Sequence, residues 1–183
     1  AYCLMLYLLG QKIVNMCGIL AVLHNAQKPV LQPLVRRGPD ETGMYKDENI
    51  SMGHTRLSIV QPESGPQPIR YKGWVMVING ELYNARVRKG ETDCHMLIKL
   101  IQKYGTKALQ RVDGVFAFVA YHKKSQKVIV ARDPIGVMPL YWSNNVFASL
   151  LTCIRSGDAQ QVPPGHVAEF TIGETPVFEK WTP

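Results

Sequence analysis

The sequence predicts an α+β domain built mainly from antiparallel strands, and three observations carry that expectation. Short β-rich runs recur along the chain, Gly18–Leu23, Trp74–Ile78, Gly114–Tyr121 and His166–Thr171 among them, and turn-forming residues separate them. One longer segment, from Asp93 to Gly105, has apolar residues at the spacing of a half-buried helix. With 183 residues, 46% hydrophobic and 19% charged, the chain fits a single soluble domain with a substantial core.

Residues 1–16, AYCLMLYLLGQKIVNM, open on an apolar block and turn polar at Gln11 and Lys12. They lack the basic start and small-residue cleavage site of a secretory signal, and the arginine and serine of a transit peptide. They read as an N-terminal extension, either upstream sequence or part of a longer chain with Met16 as the natural start, and a cleaved propeptide as the alternative; residues 17–183 form the domain. Gly18 to Leu23 is an apolar run of strand length that ends at His24-Asn25. Pro29 and Pro33 restrict any helix between 26 and 37 to short pieces. Arg37-Gly38-Pro39-Asp40 is a tight loop, Ser51 to Val60 a strand, and the proline-rich QPESGPQPI an irregular loop. Trp74 to Ile78 is a strand delivering Asn79-Gly80-Glu81 at its tip. Thr92 caps the helix from Asp93, whose apolar positions are Met96, Leu97, Leu100 and Ile101 and whose stop is Gly105. A shorter helical stretch runs from Thr106 to Val112. Gly114 to Tyr121 and Val128 to Ala131 form a hairpin, and strands follow at Leu140–Trp142, Val146–Ala148, His166–Thr171 and Val177–Trp181.

Composition excludes several function classes. The net charge of +7 is scattered, with its densest groups at Arg36-Arg37, Arg86 to Lys89 and Lys123-Lys124, so there is no basic stripe for nucleic acid. Cys3, Cys17, Cys94 and Cys153 lie far apart without a C-x-x-C pair, which predicts no metal site and no disulfide framework, and fits a cytoplasmic location. No apolar run approaches the roughly 20 residues of a membrane span.

The chemistry centres on Met16-Cys17. If Cys17 becomes the first residue, it carries a thiol nucleophile and an α-amine with an unperturbed pKa of about 7.7–8.0. With the preceding residues attached, that amine is a peptide nitrogen. The polar residues that could converge on Cys17 are Arg56, Asn79, Gly80, Glu81 and Asp93. They suit a zwitterionic amino acid with a side-chain amide: Arg56 pairs with a carboxylate, Asp93 accepts from an ammonium, and the Asn79 amide and Gly80 N–H hold an oxyanion. Taken singly, each has a plainer reading: Arg56 as a solvated rim, Asn79-Gly80 as a turn, Asp93 as part of a helix start.

Six blocks occur in order: Met-Cys-Gly-Ile at 16–19, Arg-Gly-Pro-Asp at 37–40, His-Thr-Arg-Leu-Ser-Ile-Val at 54–60, Asn-Gly-Glu-Leu-Tyr-Asn at 79–84, Asp-Gly-Val-Phe-Ala-Phe at 113–118 and Arg-Asp-Pro-Ile-Gly-Val at 132–137. Together they resemble the glutaminase domain of glutamine-dependent asparagine synthetases, a class II glutamine amidotransferase. The resemblance implies an N-terminal-nucleophile (Ntn) four-layer αββα sandwich with two antiparallel sheets. It implies Cys17, Asn79 and Gly80 as catalytic, and Arg56, Ile59, Val60, Glu81 and Asp93 as substrate-binding. Glutamine would be the substrate, and a synthetase domain in cis or in trans the recipient of ammonia. No cofactor is expected in this domain; ATP and magnesium belong to the synthetase part, whose Ser-Gly-Gly-x-Asp-Ser loop does not occur in these residues. Against the family pattern, the segments between Leu23 and Arg37 and between Asn84 and Thr92 are short, Met138 replaces a basic residue, and Leu150 follows Ser149 where the family has glutamate. A noncatalytic domain with a blocked Cys17 is the competing reading.

Overall fold

The computed structural model describes residues 16–25, 27–57, 66–143 and 145–181. Two six-stranded antiparallel sheets face each other. In the first, β1 (Gly18–Leu23) is central. It pairs on one side with β3 (Ile50–Arg56), which carries the edge strand β2 (Glu41–Lys46), and on the other with β9 (Val146–Ala148), then β8 (Tyr141–Ser143) and β10 (Gln160–Gln161). The second sheet runs β12-β11-β7-β6-β5-β4, where β4 is Ile69–Tyr71, β5 Trp74–Leu82, β6 Gly114–His122, β7 Lys127–Arg132, β11 His166–Thr171 and β12 Glu179–Lys180.

Strand side chains alternate between faces, and the apolar pattern decides which face is inside. Ile19, Ala21 and Leu23 of β1 and Ile50 and Met52 of β3 meet Val75 and Val77 of β5 and Val115, Ala117 and Val119 of β6 in the core between the sheets. The intervening residues of the second sheet, Met76, Ile78, Phe116 and Phe118, turn outward under the helix α2 (Cys94–Tyr104), which buries Cys94, Leu97, Ile98 and Ile101 on them. On the opposite side Leu20 and Val22 are covered by Leu34 of the short helix α1 (Gln32–Val35) and by Cys153. The layers are therefore helix, sheet, sheet, helix. The helical layer over the first sheet is thin because Pro29 and Pro33 leave room only for short helical pieces.

Most of the expected elements are present, with instructive differences. β2 was not anticipated; ETGMYK is largely exposed at a sheet edge and carries little apolar signal. β4 and β10 are short and were likewise unpredicted. β5 does not end at Ile78 but continues through Asn79, Gly80 and Glu81 to Leu82, paired with β6 throughout. Gly80 makes this approach possible: a Cβ there would lie 2.4 Å from the Val115 carbonyl oxygen and 2.7 Å from Phe116 Cα. The residue flanking the start of helix α2 is Asp93 rather than Thr92, and it makes no side-chain capping bond; the helix ends at Gly105, whose φ of 59° is the left-handed conformation that favours glycine. The second helical stretch is a 3₁₀ helix, Gly105–Arg111. Of the expected last strand, Glu179–Lys180 pairs in the sheet, with Val167 and His166 of β11. Ser58 to Val60, the end of the expected strand from Ser51, lie outside the described residues.

Candidate active site

Alternation along β1, β3 and β5 brings the polar residues of three strands into one inter-sheet face. Cys17 immediately precedes β1 and has the parity of Ile19; His54 and Arg56 follow Ile50 and Met52 on β3; Asn79 and Glu81 follow Val75 and Val77 on β5. Because β1 and β3 align Gly18 with Thr55, Cys17 stands at the Arg56 end of β3.

The Cys17 thiol is half-buried and held by backbone. Its Sγ lies 3.5 Å from the Leu57 N–H, which donates to it, and 3.8 Å from the Leu57 carbonyl, to which it donates. Burial pushes its pKa up, while the Leu57 backbone and the charges of Arg56 and Arg37 pull the other way. The balance favours the neutral thiol, so a nucleophilic Cys17 needs a base to take its proton. In the chain as it stands the Cys17 nitrogen is bonded to Met16, whose side chain is 5% exposed and packed into the inter-sheet core.

Two arginines flank the thiol. Arg56, almost buried on β3, places Nη1 3.3 Å from Glu41 Oε2, its cross-strand partner on β2. Arg37, at the loop after α1, donates from Nε to the Cys17 carbonyl at 3.5 Å, and its buried Nη2 has no hydrogen-bond partner among the described residues. Sequence reasoning quoted Arg37 within a motif without giving it a place in the site. No local pattern could have done so, since its approach depends on the α1 turn, where Arg37 N–H bonds the Leu34 carbonyl at 2.8 Å. Desolvation lowers its pKa, an effect opposed by the neighbouring Cys17.

Asn79 is 2% exposed, and its Nδ2 also lacks a partner. A staple fixes the strand just before it: Gln67 accepts from the Ile78 N–H at 2.8 Å and donates to the Ile78 carbonyl at 2.9 Å. The turn reading of Asn79-Gly80 is thereby replaced by a strand that presents the Asn79 amide inward. Asp93, at the head of α2, accepts from the Leu82 N–H at 2.6 Å, which ties the helix to the end of β5. The neighbouring Cys94 thiol, pushed up in pKa chiefly by burial, lies 3.9 Å from the Gly80 carbonyl, so the head of α2 sits against the Asn79-Gly80 end of β5. Ile59 and Val60 lie outside the described residues.

His54 is the other residue missed. It is 2% exposed, and its Nε2 has no partner among the described residues. Burial, with the Arg56 charge, lowers its pKa to about 3, against hydrogen bonding from the Ile78 backbone. The alternation Ile50, Met52, His54, Arg56 was the signal that would have put it on the core face. Among the described residues no group of three or more His, Cys, Asp or Glu is placed to hold a metal ion, and no helix is long and apolar enough to cross a membrane.

The face as a whole offers a half-buried thiol, buried nitrogen donors without partners, and carboxylates at its rim. Comparison with known proteins gives this arrangement a setting. The family model described as a glutamine amidotransferase domain matches residues 16–168. A probable glutamine-hydrolysing asparagine synthetase of Dictyostelium discoideum is 34% identical over 82% of this chain and 32% of its own length. Asparagine synthetase 3 of Arabidopsis thaliana is 35% identical over 83% of this chain and 31% of its own. The chain thus spans about a third of the length of the relatives it matches. Among solved structures, an allosteric regulatory enzyme of purine biosynthesis superposes with a TM-score of 0.60 at 17% identity, over 93% of this chain and 44% of the other. The glutamine phosphoribosylpyrophosphate amidotransferase of B. subtilis gives 0.59 at 18%, over 96% and 45%. These likenesses concern the fold, the two-sheet Ntn sandwich.

Proposed function

The chain belongs to the glutamine amidotransferase domain family, and from that premise we propose that it hydrolyses glutamine to glutamate and ammonia at Cys17. The supporting observation is the Asn79 Nδ2, a buried donor with no partner among the described residues, on the same inward face as the thiol. Leaving such a group unbonded costs about 1–3 kcal/mol, a cost recovered when an oxyanion arrives.

The steps follow from the residues. Arg56 takes the α-carboxylate of glutamine, and Glu81 and Asp93 take its α-ammonium, with main chain near Ile59 and Val60 completing the site. Cys17 Sγ attacks the side-chain amide carbon and forms a C–S bond, while the thiol proton passes to the Cys17 α-amine and on to the leaving nitrogen. Asn79 Nδ2 and the Gly80 N–H stabilise the oxyanion. Ammonia departs as the C–N bond breaks, and water then cleaves the thioester. A free Cys17 amine is required, so residues through Met16 are removed in the active form. The ammonia serves an ATP- and magnesium-dependent synthetase domain that converts aspartate to asparagine, joined in cis or acting in trans.

The test uses protein beginning at Cys17, incubated with glutamine. Glutamate and ammonia should appear in equal amounts, and not with Cys17→Ala; a folded sample with a free amine and no turnover rejects the reading. The burial of Met16 favours a second state, a chain that keeps Met16, binds glutamine and does not hydrolyse it. That form should resist a glutamine-like affinity label at Cys17 while glutamine still raises its Tm.

A further inference from the structure

We propose that Glu41 sets the affinity of the site for its substrate by competing with the α-carboxylate for Arg56. The inference rests on the reading that Arg56 binds that carboxylate, and it adds a residue which neither the motif blocks nor the strand pattern singled out.

The geometry is specific. β2 and β3 align Glu41 directly with Arg56. Both point to the inter-sheet face, since Tyr45 on β2 and Met52 on β3 have the same parity and lie in that core. Glu41 Oε2 meets Arg56 Nη1 at 3.3 Å, with the glutamate side chain 46% exposed and the arginine 10%. A carboxylate of this protein thus stands at the guanidinium that the substrate needs.

The contact is well made for exchange. Charge-assisted N–H···O bonds in good geometry are about 2.7–2.9 Å, and the strong arginine–carboxylate pairs are bidentate. Glu41 offers one oxygen at the longer 3.3 Å. Its half-exposed head can turn into water at little cost, as exposed ion pairs are worth little. An arriving α-carboxylate can present both oxygens to the planar fork of Arg56. It must nevertheless displace Glu41 or share the guanidinium with it, and two carboxylates at that spacing repel. Either way substrate affinity is lower than Arg56 alone would give. On this reading Glu41 meets only the carboxylate-binding Arg56 while the amide reacts at Cys17 and Asn79, so the effect is expected on KM with kcat unchanged.

The experiment compares Cys17→Ala with Cys17→Ala/Glu41→Gln, a near-isosteric loss of charge, by calorimetric titration with glutamine. Glutamine should bind about two- to fivefold more tightly to the double variant at low ionic strength, and the difference should shrink at high salt. 4-Aminobutanamide, which keeps the amide and amine but lacks the α-carboxylate, should bind both proteins alike. Glu48→Gln, an exposed carboxylate at the far end of the β2–β3 hairpin, controls for net charge and should change nothing. In protein beginning at Cys17, Glu41→Gln should lower KM by the same factor with kcat unchanged. Equal or weaker glutamine binding in the double variant overturns the proposal and makes Glu41 a brace for Arg56; an equal gain for the analogue overturns it in favour of a general charge effect. No glutamine binding to either protein removes the site itself, a distinct failure that takes the functional reading with it.

Discussion

Two buried arginines in this molecule have opposite surroundings. Arg132 is 4% exposed and donates through Nε to the Met138 carbonyl at 2.7 Å, through Nη1 to Val162 at 2.9 Å and through Nη2 to Gly136 at 2.6 Å. Beside it Asp133, fully buried, accepts from the N–H groups of Ile135, Gly136, Val137 and Met138. Arg37, at the Cys17 end, makes one 3.5 Å bond from Nε and leaves a buried Nη2 without a partner, as His54 Nε2 and Asn79 Nδ2 are left. Buried polar groups are ordinarily satisfied, and a fully bonded network fixes structure. The Arg132–Asp133 loop is therefore finished in the folded chain. The Cys17 end is arranged for bonds that the described residues do not themselves make.

The contrast can be broken at its satisfied side first. Asp133→Ala leaves four amides around a cavity, so it should cost about 3 kcal/mol or more of unfolding free energy, measured by urea denaturation. A loss under about 1 kcal/mol would show that the loop is held by something else. On the unsatisfied side, Asn79→Ala should lower kcat for glutamine hydrolysis by about 10²–10³ in protein beginning at Cys17. Its stability should change far less than that of Asp133→Ala; the reverse ranking would make Asn79 a structural residue.

A third effect sharpens the comparison through pH. His54 has a folded pKa of about 3 against an ordinary 6.5, so between those values the unfolded chain binds a proton that the folded chain does not. Stability is then fully present above pH 6.5 and falls on acidification, by about 1.4 kcal/mol per pH unit for this one group. Urea titrations from pH 7 to 4 should give a shallower slope for His54→Gln than for the unsubstituted chain. Parallel slopes would mean that the imidazole is not held neutral.

Much of this site was legible because strands obey a period of two. Cys17, Arg56, Asn79 and Glu81 each extend the parity of core residues on their own strand, so a reading that finds the core also finds which side chains share it. The Asn79-Gly80 pair was ambiguous for a physical reason. Asn-Gly favours turns, and only the close passage of β6 along Gly80 keeps β5 extended there. β2 escaped notice because an exposed edge strand needs no apolar alternation, and the Glu41–Arg56 contact went with it. Arg37 was invisible as a site residue because its position relative to Cys17 is set by the α1 turn, a tertiary fact without a local signature.

The packing of Met16 bears on the order of events in the life of the chain. Peptidases take their substrates as extended, accessible backbone, and tightly ordered segments are poor targets. Met16 sits in the core between the sheets, and Gly18, two residues on, is already paired with Thr55. On the proposed reading, in which Cys17 needs a free amine, a cut after Met16 is expected in the emerging chain, before β1 closes against β3. On the same reading, a molecule that folds first would keep Met16 until it unfolds again, and the active fraction of a preparation would report a race between processing and folding.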